Sequence, residues 1–349
     1  MKKNKIGMTA FFFFSLLVIF TGELNAAAAE LKFSVETETP ENQIDKSKSY
    51  FDLKMEPNQE QELSIAVGNT TSNEITVIPE ISDATTNQNG IVEYSPSKRK
   101  VDEGAPGYLT QIVSIEDSQK EIVLPANSKT ILKLKVKMPE NAYKGTIAGG
   151  ITLKEREDSS SSNTDDKQGL TIENKYAYSI AILLSESDEV LTPELELKNV
   201  TVGQLNYRNT IFAKLKNTES RYINMLSTET TIYKKGSKNP LYYSKKEEMQ
   251  MAPNTSFDLP ISLEGHKMEA GEYTLEMKAE GSGQKWNFSK GFIIKEKEAK
   301  KYNRKDVTVP KNNFGWIIIL LVAILMLLVI LVLLLIFLNR RKYNRNMNK

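Results

Sequence analysis

The 23 consecutive apolar residues from Trp316 to Leu338 constrain this chain more than any other feature. As a helix rising ~1.5 Å per residue they reach about 34 Å, enough to cross a hydrocarbon layer ~30 Å thick with slight tilt. A helix buried in a soluble core would keep polar positions somewhere, and this run has none. Trp316 stands where an interfacial aromatic anchor belongs, and Arg340, Arg341 and Lys342 follow as a stop-transfer cluster. The expectation is a single C-terminal transmembrane helix over residues 314–338, with a basic tail at 339–349.

The start of the chain carries a second address. Lys2, Lys3 and Lys5 precede a short apolar run from Met8 to Phe20 and the string Ala26-Ala27-Ala28-Ala29. These are the three parts of a secretory signal peptide, here residues 1–29, with Ala27 and Ala29 as the signal-peptidase pair and Ala26-x-Ala28 fitting nearly as well. Charge alone does not orient the span, since seven Lys/Arg lie in Lys295–Asn313 and five in the tail. The signal does. The body is exported first, giving a single-pass type I protein with a cytoplasmic C-terminus. No L-P-x-T-G-like motif precedes the span, the nearest text being Val307-Thr308-Val309-Pro310-Lys311, so the anchor is expected to stay in the membrane.

Composition removes several chemistries. The chain has no cysteine and one histidine among 349 residues. That excludes disulfide scaffolds, thiol nucleophiles and zinc ribbons, and leaves almost no room for a His-based triad. An exported chain without cysteine points to a bacterium that does not rely on disulfides. The formal charge of +2 averages a mildly acidic body with two basic ends, and implies no nucleic-acid partner.

Between residues 30 and 295 apolar and polar residues alternate in short runs broken by turn residues. Glu62-Leu63-Ser64-Ile65-Ala66-Val67, Thr130-Ile131-Leu132-Lys133-Leu134-Lys135-Val136 and Tyr273-Thr274-Leu275-Glu276-Met277 are examples. Period-two patterning at this spacing predicts β-sandwiches. An internal echo divides the region. Val67-Gly68-Asn69-Thr70 resembles Lys216-Asn217-Thr218, and Leu124-Pro125-Ala126-Asn127 resembles Ala252-Pro253-Asn254. The fold expected is all-β, with two tandem immunoglobulin-like β-sandwich domains followed by the transmembrane helix. They are placed at 30–157 and 169–296, around a flexible Ser-rich segment at 158–168, with an unpacked basic stalk at 297–313. The long strand at 170–185 either closes the first sandwich or opens the second.

Several segments in order resemble the WxL-interacting proteins of Gram-positive bacteria. They include Pro40-Glu41-Asn42-Gln43, Tyr50-Phe51-Asp52-Leu53-Lys54, Asp83-Ala84-Thr85-Thr86-Asn87-Gln88-Asn89-Gly90, Gly149-Gly150-Ile151, Asn174-Lys175-Tyr176-Ala177-Tyr178 and Ala270-Gly271-Glu272-Tyr273. The resemblance implies an N-terminal peptidoglycan-binding domain, a second domain that binds host ligands such as matrix proteins, and secreted WxL proteins as partners. Neither tryptophan lies in a W-x-L triplet, so the chain resembles the partner of such proteins.

Candidate chemistry is sparse. His266, in Glu264-Gly265-His266-Lys267, reads as a loop histidine. Glu155, Glu157, Asp158, Asp165 and Asp166 sit on a segment too pliant to hold carboxylates at fixed separations. Gly145 to Gly150 precedes no helix, so it is no nucleotide loop; Gly149 and Gly150 mark a bulge, or a place where a backbone or flat ligand approaches. Tyr176 and Tyr178 share one strand face and either pack across strands or stack on a sugar. These four are the ligand-contact candidates. No catalytic residue, metal or cofactor is expected. The functional expectation is a non-catalytic surface binding protein; a wall-active glycan hydrolase and a chaperone-like partner of secreted surface proteins are the alternatives.

Overall fold

A computed structural model describes residues 32–156, 176–310 and 314–347, the last stretch without the side chains of 314–317, 339 and 342–347. Ala27, Ala29 and the Ser-rich segment 158–168 therefore lie outside the described residues, as do the side chains of Trp316 and Lys342.

The first sandwich is built from β1 (Phe33–Thr37), β2 (Phe51–Lys54), β3 (Glu60–Asn69), β4 (Ile75–Asp83), β7 (Val113–Ile115), β8 (Ile122–Leu124), β9 (Lys129–Lys137), β10 (Thr146–Glu155) and β11 (Ala177–Ser185). A small ribbon of β5 (Thr85–Thr86) and β6 (Val92–Glu93), and the single turn α1 (Leu109–Ile112), are inserted. One sheet has the order β1-β3-β9-β7 and the other β2-β11-β10-β4-β8. Alternation explains the strands directly. In β9, Leu132, Leu134 and Val136 face the core while Lys133 and Lys137 point out to Glu62 and Glu60 at 2.8 and 3.0 Å. Strand β11 pairs with β10 along its length and in parallel with β2 from Ile182 to Ser185. It belongs to the first sandwich.

The second sandwich sets β12 (Leu195–Leu205), β13 (Arg208–Asn217) and β16 (Ser256–Ser262) against β15 (Pro240–Met251), β14 (Ile223–Lys234), β17 (Gly271–Gly281) and β18 (Gln284–Ile294). Ile211, Leu215, Ile232, Leu259 and Leu275 are among its core residues. The internal echo is structural. Asn69 and Asn217 are both buried, and each side-chain amide donates to the carbonyl four residues on (Asn73, 2.7 Å; Arg221, 2.6 Å). Each also donates to the carbonyl just before a proline, Leu124 and Ala252, at 3.0 Å. One asparagine thus ties two loop carbonyls together in each sandwich.

The stalk is a correction. Residues expected to be unpacked form α2 (Glu296–Lys305), docked on the second sandwich. Asn303 and the Met268 backbone exchange hydrogen bonds at 2.8 Å, and Gln204 donates to the Tyr302 carbonyl at 2.9 Å. Asp306 is 1% exposed; its carboxylate accepts from the amides of Asn209 (2.6 Å), Thr308 (2.6 Å) and Val309 (3.0 Å) and from the Thr308 hydroxyl (2.7 Å). High charge hid this docking, because one face carries only Ala299, Tyr302, Asn303 and Asp306 inward. Beyond it, α3 (Phe314–Met347) contains Ile318–Leu338, with mean hydropathy 3.8. It is the one helix among the described residues long and apolar enough to cross a membrane.

The two sandwiches meet through backbone contacts. Thr86 Oγ1 lies 2.7 Å from Thr255 Oγ1 and accepts from the Ala252 amide at 3.0 Å. Gln250 N donates to Gly90 O, Asp102 N to Asn254 O and Thr146 N to Ser220 O, at 2.7, 2.8 and 2.7 Å. Ala84, Ala148 and Ala252 form a small buried cluster there. Gly145, at φ 85°, presses on the Ser220 carbonyl, and a Cβ would also lie 2.8 Å from Leu191 Cδ1. Every contact lies at the end of the second sandwich opposite α2.

Two outcomes follow. Gly145→Val should part the sandwiches while leaving both cores intact, seen as a larger radius of gyration in solution scattering; an unchanged radius would contradict the junction. Burial alone would raise the Asp306 pKa, but its hydrogen bonds from Thr308, Asn209 and Val309 outweigh this and hold it below 3.8. Its contribution is thus full above the unfolded carboxylate value and disappears as pH falls through the lowered folded value. Asp306→Ala should cost about 3 kcal/mol and raise hydrogen exchange across α2 at neutral pH. Exchange across α2 as slow in the variant as in the wild type at neutral pH would be inconsistent with this role.

Candidate functional site

Among the described residues, strands β1 and β11 leave two sheet edges without a partner strand. β1 pairs only with β3, and β11 before Ile182 pairs only with β10. Between them opens a cleft of about 580 Å³, walled by Val35–Thr37 on one side and Tyr178–Ala181 on the other. The 38–50 connection forms its rim and adds Thr39, Ser47, Lys48, Ser49 and Tyr50, while Tyr94 lines its far end.

The rim is held by side-chain amides. Gln43 is buried; its Nε2 donates to the carbonyls of Tyr50 (2.9 Å) and Asp45 (3.2 Å), and its Oε1 accepts from Asp52 N (3.1 Å). Asn42 and Gln61 exchange paired amide hydrogen bonds, each of 2.9 Å. Asp45 Oδ1 accepts from the Ser47 hydroxyl (2.6 Å) and amide (3.0 Å), which hold its carboxyl below the usual range. Pro40-Glu41-Asn42-Gln43 therefore serves to shape the rim.

The tyrosines are positioned differently. Tyr178 stacks edge-on against Phe33, with ring centroids 5.2 Å apart. Tyr94 places its hydroxyl 3.1 Å from that of Tyr222 in the second sandwich, so the cleft ends at the domain junction. Burial pushes both phenols above their ordinary value, Tyr222 the more strongly. The cleft thus offers aromatic faces, hydroxyls, one lysine and unpaired backbone groups. That set suits an extended polymer carrying amides and hydroxyls.

Of the four expected contact residues, the structure brings only Tyr178 to this cleft. Tyr176 is 43% exposed just before β11. Gly149 and Gly150 are buried in β10, and the groups that approach them are the chain's own: Leu109 over Gly149 and Tyr94 over Gly150. Tyr50, Tyr94 and Ser47–Ser49 were missed. The signal available for Ser47–Tyr50 was length, because the polar stretch between β1 and β2 is longer than ordinary hairpin connections; Tyr94, just after β6, carried no such signal. At the other end Arg340 is exposed, and Arg341 lies 5.8 Å over the Phe337 ring just past Leu338.

A second depression of about 740 Å³ sits at the junction, with Arg99, Lys100, Lys214 and Lys216 interleaved with Asp102 and Asp258. Lys216 reaches Asp102 at 3.3 Å, and Arg99 is drawn to Glu93 at 2.6 Å. Among the described residues no group of His, Cys, Asp and Glu could hold a metal. His266 Nδ1 lies 2.9 Å from the Leu263 carbonyl in its loop.

Two family models match the chain. The WxL Interacting Protein peptidoglycan binding domain covers residues 33–155, and the WxL Interacting Protein host binding domain covers 167–304. The chain belongs to the WxL-interacting protein family. It is a surface protein of that family, with a peptidoglycan-binding and a host-binding domain. The second model begins ahead of β11, which the structure gives to the first sandwich, so the cleft draws on residues from both matched regions.

No curated protein matches the chain. Among solved structures, a chaperone–tip adhesin complex of CFA/I fimbriae biogenesis is similar at 9% identity, covering 75% of this chain and 98% of that one, with a TM-score of 0.30. The E. coli chaperone DraB is similar at 13% identity, with 75% and 98% covered and a TM-score of 0.27. The Pseudomonas aeruginosa CupB2 chaperone is similar at 11% identity, with 68% and 96% covered and a TM-score of 0.28. Likenesses at such scores say nothing further about this chain.

Proposed function

We propose that the chain is a non-catalytic, membrane-anchored binding protein whose first sandwich holds peptidoglycan in the cleft between β1 and β11. The observation that carries this reading is the pair of unpartnered edges facing one aromatic and hydroxyl-lined cleft. A glycan strand with peptide stems offers N-acetyl amides and hydroxyls for Tyr178, Tyr50 and the serines, a carboxylate for Lys48, and backbone amides for the strand edges. Tyr176 stands outside the lining as an exposed aromatic close to it. The α3 span Ile318–Leu338, with Arg340 beyond it, holds the protein in the membrane as a type I anchor with a cytoplasmic tail.

The second sandwich offers a protein partner a different edge. Strand β18 pairs with β17 in unbroken register from Gln284 to Ile294, and among the described residues no strand hydrogen-bonds to its other side. Strand β15, at the opposite edge, is blunted by three register shifts and by Lys245, Lys246, Glu247 and Glu248. Strand addition along β18 is therefore the proposed mode for a secreted WxL protein or a host matrix protein.

Co-sedimentation with purified peptidoglycan tests the wall reading. The full chain in detergent should pellet with the wall, and Tyr178→Ala and Lys48→Ala should each weaken binding up to about tenfold, as loss of about 1.4 kcal/mol requires. Lys48 is exposed, so its variant should keep the wild-type melting temperature. Full retention of binding by both variants would remove the cleft, and release of soluble sugar fragments would favour a hydrolase.

A further inference from the structure

The distal end of the second sandwich, opposite the junction, has no role in the binding reading, yet its chemistry is distinctive. Helix α2 turns Lys297, Lys300, Lys301, Arg304 and Lys305 to solvent. The acids on that helix are engaged locally: Glu296 pairs with Lys300 at 2.6 Å, and Glu298 caps the Lys295 amide at 3.3 Å. At its C-terminal end the tight β12–β13 turn presents Tyr207, 69% exposed, and the Tyr207 carbonyl accepts from the amide of Val307, itself 66% exposed. An amphipathic aromatic and an apolar side chain thus protrude together beside a cluster of cations.

Covalent geometry says what faces them. Val309 is buried against the second sandwich and the anchor helix has begun by Phe314. Five residue steps reach at most about 18 Å when fully extended, or about two screening lengths at physiological salt. The docked α2 leaves no long stalk to lift this end away. The tether is thus short enough for the cations to reach the negative potential of an anionic leaflet, and for Tyr207 and Val307 to reach its headgroups.

We infer that this end of the second sandwich is a membrane-docking face, with the basic side of α2 on anionic lipid headgroups and Tyr207 and Val307 at the interface. The inference rests on the anchoring reading above. It differs from a loose polybasic tether because α2 is fixed to the sandwich by Asp306 and Asn303, so docking would orient the whole ectodomain.

The chain has no cysteine, so one introduced thiol labels one place. Lys267→Cys lies in the exposed loop whose Gly265 approaches Thr308, and Lys120→Cys lies on the first sandwich. The full chain, labelled with a fluorophore at either position, would be reconstituted into phosphatidylcholine vesicles carrying a headgroup quencher, with or without phosphatidylglycerol. The expected result is strong quenching at 267 and little at 120. Quenching at 267 should increase with phosphatidylglycerol and be largely lost in high salt, or when Lys297, Lys300, Lys301, Arg304 and Lys305 are all changed to Gln. Quenching at 267 that ignores phosphatidylglycerol and the Gln variant would overturn the docking while leaving the anchor intact. A chain released from vesicles by alkaline carbonate would sink the anchoring reading and the docking with it. Binding of poly(glycerol phosphate) by this face without headgroup quenching would reassign it to a wall polymer.

Discussion

The backbone hydrogen bonds that join the two sandwiches govern most of what this chain can do. Thr146 to Ser220, Gln250 to Gly90 and Asp102 to Asn254 are main-chain contacts, each fixing a register that side-chain packing alone would leave adjustable. They require small residues where the surfaces meet, which accounts for Gly90, Gly145 and the alanine cluster. Leaving those groups buried and unpaired would cost about 1–3 kcal/mol each, so the junction is held shut by the penalty for opening it part way.

Function is arranged along that joined body. The cleft lies at one edge of the first sandwich and reaches the junction through Tyr94 and Tyr222. The far end of the second sandwich carries α2, tied down by Asp306 close to the anchor. On the proposed reading a wall-binding cleft and a membrane-proximal face would belong to one jointed unit, and a lateral pull on the wall would pass to the anchor through hydrogen-bonded contacts. Pairs such as Lys133–Glu62 on the outer sheet faces add little to stability, being half exposed, but keep those faces soluble.

Local patterns were legible in the sequence; long-range convergence was not. The alternation in Leu132-Lys133-Leu134-Lys135-Val136 states which side chains enter the core, and the apolar run ending at Leu338 states what must leave water. The echoed Asn69 and Asn217 were visible as repeats, although their work on loop carbonyls was not. The cleft was hidden because Val35–Thr37, Ser47–Tyr50 and Tyr178–Ala181 are far apart in the chain and meet only by strand pairing. Gly149 and Gly150 did signal close approach, but sequence could not say that Leu109 and Tyr94 were the approaching groups. The stalk misled because charge outweighed a docking face of four residues, whose hold depends on one buried carboxylate.

On the proposed reading peptidoglycan occupies the cleft between β1 and β11. Hydrogen exchange of the full chain, measured with and without soluble disaccharide–peptide fragments of the wall, tests it most directly. Slowed exchange is expected in Phe33–Thr37 and Tyr178–Ala181, with the 45–50 rim protected beside them. Protection confined to the second sandwich, or no protection at saturating fragment, would contradict it.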